Sequence, residues 1–288
     1  MKILNSVAIP RFPKIRGKLS AIRYPCYVEV KLDGEANIYT NGVLVSKSSG
    51  KVRSNCPITD TLSQIFDERT ILFGELYYGD GKFGDLYKFL SNQKSDDLNF
   101  AIFDVYHPTL NGDYEWRRQW LLGMTYDKML GEHSFLRNEF FNEPVRPRGH
   151  TYRTKVKIMP TRYAEDKAHL DILVELSKHR GYEGVVVKNG SSMLYTPHGS
   201  LLETQTGWVK VKHKTTCDLK LVMLDPVKER GEVDYKGRNV GVKIPFKYKQ
   251  HLKVGDIVEI EHQGELSGGS VRHPVFIRKR EQKGVSYA

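Results

Sequence analysis

Apolar and polar positions along the chain fall into two regimes. From Tyr27 to His213, short runs that alternate or are wholly apolar interleave with stretches whose apolar residues recur at helical spacing. Tyr27-Val28-Glu29-Val30-Lys31-Leu32 alternates with period two, as a strand with one inward face does. Val185-Val186-Val187 is apolar throughout and bounded by Glu183 and Lys188, as a buried strand is. On this basis strands are predicted at 27–32, 35–40, 43–47, 71–78, 100–106, 184–188 and 207–212, and helices at 60–67, 84–91, 115–130 and 165–180. Such interleaving predicts a mixed α+β domain. After Thr215-Thr216 the helical spacing gives way to short strands between glycine-rich turns, predicted at 220–224, 239–244, 256–262 and 275–278. About 70 residues of this kind suit a five-stranded OB barrel. Two domains are therefore expected, 1–213 and 214–288. Pro10, Pro13 and Pro25 lie among basic residues and predict an extended arm leading into the first core strand.

The net charge of +11 over 288 residues points to a polyanionic partner, because clustered Lys and Arg gain affinity by releasing counterions from phosphates. Charge alone leaves nucleic acid and an anionic membrane both open. No apolar run approaches the ~20 residues of a spanning helix, and the amino terminus lacks a signal peptide's apolar core. A soluble, cytoplasmic monomer is the expectation. Cys26, Cys56 and Cys217 are odd in number and widely spaced, so reduced thiols are expected rather than a disulfide framework or zinc site.

Chemistry concentrates around Lys31. A lysine is nucleophilic only as the free amine, which desolvation or neighbouring cations favour. Asp33 lies two residues on, on the same face of an extended strand, and Gly34 leaves room for a ligand near the backbone. A surface Lys-x-Asp-Gly turn would read the same in isolation, and the order of further motifs decides between them. Lys31-Leu32-Asp33-Gly34 resembles the nucleotidyl-lysine motif of the ATP-dependent DNA ligases and the covalent nucleotidyltransferase superfamily. Phe73-Gly74-Glu75-Leu76 is similar to that family's acidic strand, and Phe100 to Val105 to its aromatic strand. Glu183 to Lys188 resembles its metal-site strand, and Trp208-Val209-Lys210-Val211-Lys212 its twin-lysine strand. Arg272-His273-Pro274-Val275-Phe276-Ile277-Arg278-Lys279-Arg280 is similar to a carboxy-terminal motif found particularly in DNA ligases.

The resemblance implies an α+β nucleotidyltransferase domain, of the ATP-grasp-like ligase adenylation type, followed by an all-β OB-fold domain. It implies ATP and Mg²⁺ as cofactors and nicked double-stranded DNA as partner. Lys31 would attack the α-phosphate and carry AMP, with Lys210 and Lys212 neutralising the charge that develops. Glu29 would meet the adenine, Phe103 would stack on it, and Glu75 would hold the ribose. Lys47 and Lys188 would bind the nucleotide, Lys188 through phosphate, and Glu183 with Glu75 would hold the metal. Arg278, Arg280 and Lys283 would orient the leaving pyrophosphate, and with Arg272 would meet DNA. From the residues alone, Phe103 reads equally as core, Glu183 and Lys188 as strand ends, and Lys210 with Lys212 as a solvated face. The chain departs from the family at Ala36, where an arginine is usual, at Lys47, where Ser-Arg is more common, and at Gln282, where an aspartate is usual. Asn37 and Lys47-Ser48-Ser49-Gly50 drift toward RNA ligases. An RNA ligase or capping guanylyltransferase therefore stays as an alternative, as does a non-catalytic basic OB-fold protein.

Overall fold

The computed structural model describes residues 2–4, 7–9, 14–81, 98–110, 112–129, 155–194, 204–266 and 268–280. The chain divides into two compact units, Met1–Val211 and Lys212–Ala288. The first opens with short strands β1 (Lys2–Leu4), β2 (Val7–Ile9) and β3 (Lys14–Ile15). Next come β4 (Cys26–Lys31), β5 (Glu35–Thr40), β6 (Val43–Ser46), β7 (Val52–Arg53), α1 (Pro57–Ile65), β8 (Ile71–Tyr78) and β9 (Leu98–Tyr106). The unit continues through α2 (Tyr114–Met129), β10 (Val156–Ile158), β11 (Thr161–Ala164), α3 (Lys167–His179), β12 (Gly184–Asn189), β13 (Thr204–Gln205) and β14 (Trp208–Lys212), whose last residue opens the second unit. The predicted helix at 84–91 lies outside the described residues. The helix predicted at 60–67 starts at Pro57, since proline suits the first turn and the Thr59 hydroxyl bonds the Cys56 backbone on both sides.

Two sheets form the frame, one in the order β10-β9-β8-β5-β6-β7 and one in the order β11-β4-β12-β14. The chain passes from the second sheet to the first through Asp33-Gly34, between β4 and β5. That turn fits only because Gly34 lacks a side chain: a Cβ there would lie 2.4 Å from the Leu76 carbonyl oxygen. Lys31 thus ends a strand at the seam of two sheets. Val28, Val30, Val185 and Val187 are buried and build the core under β4 and β12, which α3 closes with Leu170 and Leu173. Asp166 caps α3 by accepting the His169 backbone N–H at 2.8 Å. A second core lies between β8, β9, α1 and α2.

The other unit holds β15 (Thr215–Leu224), β16 (Gly231–Tyr235), β17 (Arg238–Val242), the short α4 (Phe246–Lys249), β18 (Ile257–His262) and β19 (Val275–Lys279). Its strand order is β17-β16-β15-β18-β19, and a bridge between Lys243 and Val275 joins the two edges. β16 is an element the patterning missed, because a glycine opens it and its turn to β17 leaves little contrast in polarity. Its interior is built by Leu221, Val233, Val242, Ile244, Val258 and Ile260. No helix of the described residues is long and apolar enough to cross a membrane.

Candidate active site

The face of β4 that carries Tyr27, Glu29 and Lys31 looks into a cavity of about 580 Å³. In register with it, Gly184 sits opposite Lys31, Val186 opposite Glu29 and Lys188 opposite Tyr27. β8 contributes Glu75, β9 Phe103, and β14 Trp208 and Lys210, while Lys47 follows β6. Most of the site residues expected in the first unit therefore meet at one cavity.

The end at Lys31 is an alternation of charges. Lys31 donates a hydrogen bond to Glu183 Oε2, and Glu183 is only 3% exposed. Burial pushes the Glu75 carboxyl up to about 7, opposed by Lys31 and Lys210 and reinforced by Glu183 and Asp33. Burial, then repulsion from Lys210, lowers the Lys47 ammonium, with Glu75 pulling the other way. Lysines held this close suit an anionic ligand that supplies the missing negative charge. Among the described residues no three His, Cys, Asp or Glu side chains cluster closely enough to hold a metal ion. The donor set fits a hard cation that takes one or two carboxylates, here Glu183 and Glu75, and its remaining ligands from phosphate and water.

The opposite end is neutralised internally. Glu29 is 2% exposed; its Oε1 accepts hydrogen bonds from the Tyr114 hydroxyl at 2.5 Å and from Lys188 Nζ at 2.8 Å. Lys188 Nζ also lies 2.8 Å from Glu29 Oε2 and donates to the Phe103 carbonyl oxygen at 2.8 Å. Its ammonium sits over the rings of Trp208 at 4.1 Å, Tyr114 at 4.5 Å and Phe103 at 5.4 Å. Burial lowers Lys188 from its ordinary value against the pull of Glu29, and burial with Glu29 raises the Tyr114 hydroxyl well above its own. Lys188 was expected on phosphate; the register instead roots it four residues beyond the partner of Lys31, about 13 Å along the strand.

Behind this end, Arg117 donates twice to Asp104 at 2.8 Å, with side chains 0% and 1% exposed, and reaches the carbonyls of Gly112 and Ser192 at 3.0 Å. It fixes the start of α2, and so Tyr114, against β9. At the mouth, Glu35 accepts hydrogen bonds from Ser46, Ser48 and Ser49 and pairs with Arg53 at 3.2 Å. Burial acts to raise Glu35, yet Ser46, Arg53 and Asn37 hold it below the usual range. Beside Ala36, where an arginine was expected, the guanidinium comes from Arg53 of β7 and bonds Asn37 Oδ1 at 3.4 Å. Tyr114, Glu35, Arg53 and the Asp104–Arg117 pair were missed because nothing in their local sequence marks them.

A family model described as RNA ligase matches residues 25–212, more than half of the chain. The chain belongs to the RNA ligase family. This family member is similar in structure to a Lig E DNA ligase, described as binding DNA with a minimal scaffold, with a TM-score of 0.68 and 16% identity over 95% of this chain and 100% of that one. It is also similar to the structure named Pmar-Lig_Pre, with a TM-score of 0.67 and 20% identity over 96% of this chain and 69% of that one. At these identities the likeness is one of fold. No curated protein matches the sequence.

The remaining residues expected at the site of this RNA ligase family member lie in its second unit. Lys212 donates to Gln263 Oε1 at 3.3 Å. Arg278 Nε pairs with Glu259 Oε2 at 2.6 Å, and Arg280 bridges Asp218 at 2.8 Å and Glu259 at 3.3 Å. Regular alternation would put Phe276 on the same face as these arginines. Instead the register slips, pairing Ile260 with Phe276 but Glu259 with Arg278, so Ile277 is an extra residue. Phe276 therefore enters the core while Arg278 leaves it. Arg272 is tied into its turn by backbone hydrogen bonds with Gln263 and Gly264. Lys283 and Gln282 lie outside the described residues.

Proposed function

We propose that the chain is an ATP-dependent ligase that seals 5′-phosphate/3′-hydroxyl nicks in duplex DNA through a covalent Lys31–AMP. The observation that carries this reading is the seating of Lys31 between Glu183, Glu75 and Lys210 at one end of a cavity whose other end carries Glu29 and Phe103. In the first step Lys31 Nζ, as free amine, bonds the α-phosphorus of ATP while the bond to pyrophosphate breaks. Glu183 Oε2 orients the amine, Lys210 and Lys47 offset charge on the phosphate oxygens, and Phe103 supports the base. Mg²⁺, held by Glu183 and Glu75 with phosphate oxygens, would act as Lewis acid. AMP then passes to the 5′-phosphate of a nick, and the 3′-hydroxyl displaces it to leave a phosphodiester. The second unit is taken as the OB barrel, with Arg272, Arg278, Arg280 and Lys283 toward DNA.

DNA is placed first because the carboxy-terminal motif resembles that of DNA ligases. Membership of the RNA ligase family and the Ala36-Asn37 departure favour a second reading, in which RNA strands are joined by the same chemistry. Incubation with α-labelled ATP and Mg²⁺ should give an acid-labile, base-stable labelled protein, and Lys31→Ala should give none. Release of that label by nicked DNA, but not by nicked RNA, supports the first reading; the reverse supports the second. Persistent labelling of Lys31→Ala rejects both.

A further inference from the structure

We propose that α4 and the turn between β15 and β16, in the second unit, form a stacking platform for an unpaired DNA strand, with Phe246 as the ring on which a base lies. The surface uses no residue of the Lys31 cavity and none of the arginines of β19. Its choice of DNA rests on the nick-sealing reading above.

Residues 243–254 carry Lys243, Lys247, Lys249 and Lys253 with no Asp or Glu, and Phe246 and Tyr248 stand among them. Basic residues interleaved with aromatic ones suit a nucleic-acid strand, the lysines on its phosphates and a ring on its bases. The fold divides the apolar residues of this stretch between two tasks. Leu252 is buried and Tyr248 packs on Phe276 with ring centroids 5.1 Å apart, so these two close the barrel. Phe246 is left 54% exposed, and Val227, in the turn between β15 and β16, 76%. The ring is exposed, but it is held. Its backbone N–H donates to Glu229 Oε1 at 3.2 Å. Lys249 Nζ sits over the ring, 4.7 Å from its centroid, and donates to the carbonyl oxygens of Asp225 and Lys228, which bracket Val227. One ammonium thus locks ring and turn together and covers one face of the ring, leaving the other for a ligand. A ring ordered beforehand loses little freedom when a base stacks on it. The nearby carboxylates are spent within the surface. Asp225 accepts the N–H groups of Val227 and Lys228 at 2.8 and 2.9 Å, and Glu229 pairs with Lys243 at 3.0 Å. Lys228, Lys247 and Lys253 are exposed around them. An unpaired strand satisfies both halves of the surface, because its bases are open to stacking while its phosphates meet the lysines. A duplex keeps its bases stacked inside. An anionic membrane would call for a broad apolar face, whereas α4 and the residues after it give Tyr248 and Leu252 to the barrel.

The test is fluorescence anisotropy of the full chain on three labelled nicked duplexes at one salt concentration: blunt, with an unpaired thymidylate tail of about 10 nucleotides, and with a tail of the same length that lacks bases. Wild-type protein should bind the thymidylate-tailed duplex at least ~5-fold tighter than the blunt one, the low end of what one stacked base is worth. Phe246→Ala should remove most of that gain and leave the blunt duplex within about twofold, and Phe246→Trp should keep it. On the baseless tail, wild type and Phe246→Ala should agree within about twofold, because only lysines act there. Lys247→Gln/Lys253→Gln should make the slope of log affinity against log salt shallower by up to about 1.4 on the thymidylate tail, from two phosphates at ~0.7 each. Far-ultraviolet circular dichroism and self-adenylylation at Lys31, which needs no nucleic acid, should be unchanged in Phe246→Ala. Equal affinity of Phe246→Ala and wild type for the thymidylate-tailed duplex overturns the proposal. A uridylate tail bound more than about tenfold tighter than the thymidylate tail overturns it by making the strand RNA. Phe246-dependent sedimentation with phosphatidylserine vesicles, without any gain from a tail, overturns it by making the partner a membrane. If wild-type protein takes no label from ATP, the ligase reading fails, while the comparison of tails is decided by binding alone.

Discussion

At the scale of single residues, the site depends on charges that the chain pairs internally. Asp104 and Arg117 are buried together, and each would be costly alone. Asp104→Asn should therefore destabilise the chain by about 3–5 kcal/mol in denaturant titration, and should weaken nucleotide binding because α2 and Tyr114 lose their anchor. A loss below ~1 kcal/mol would mean that the guanidinium finds other acceptors. Asp67 gives the pH counterpart. Burial acts to raise its carboxyl, but hydrogen bonds from Thr70, Arg69 and His107 hold it well below the usual range. With the folded value depressed, the contribution is present above the unfolded carboxylate value and is lost as pH falls through the folded one. Thermal melts from pH 6 to 2.5 should thus fall less steeply for Asp67→Asn than for wild-type protein, from a lower starting Tm.

At the scale of elements, two short segments decide where side chains point. The Asp33-Gly34 turn carries the chain between sheets with the Leu76 carbonyl where a Cβ would stand. Gly34→Ala should cost about 1–3 kcal/mol, shift the end of β4, and cut self-adenylylation by tenfold or more while the far-ultraviolet circular dichroism stays native. The extra residue at Ile277 does the same for β19, parting Phe276 from Arg278. These cases mark what the sequence could and could not disclose. Lys31, Glu75, Glu183 and Lys210 were legible because each stands in a short motif on a strand whose period fixes its face. Tyr114 was not, since it meets Glu29 from 85 residues away. The destination of Lys188 was hidden for the same reason: its motif gives a lysine at a strand end, and only the register beside Tyr27 brings its ammonium to Glu29. A bulge such as that at Ile277 leaves no trace in alternation, and a regular strand would have set Phe276 and Arg278 on one face.

At the scale of the whole molecule, the excess of cationic residues has two possible uses, and Arg278 separates them. Its side chain is 61% exposed and holds Glu259 through Nε. If Arg278 orients departing pyrophosphate, its work belongs to the first step alone, because none remains once Lys31 carries AMP. Arg278→Ala should then slow self-adenylylation by tenfold or more yet leave the sealing of a pre-adenylylated nick within about twofold. On the proposed reading Glu183→Ala and Lys210→Ala should impair both steps, since the α-phosphate they would face persists throughout. If Arg278 instead meets the duplex backbone, the variant should lose both steps together, recover at low salt, and show a slope of log affinity against log salt shallower by about 0.9. Filter binding of nicked duplex from 50 to 200 mM salt, run beside the two rate measurements, distinguishes the cases. Slowed adenylylation with an unchanged salt slope gives Arg278 to the nucleotide, and a shallower slope with both steps slowed gives it to the duplex.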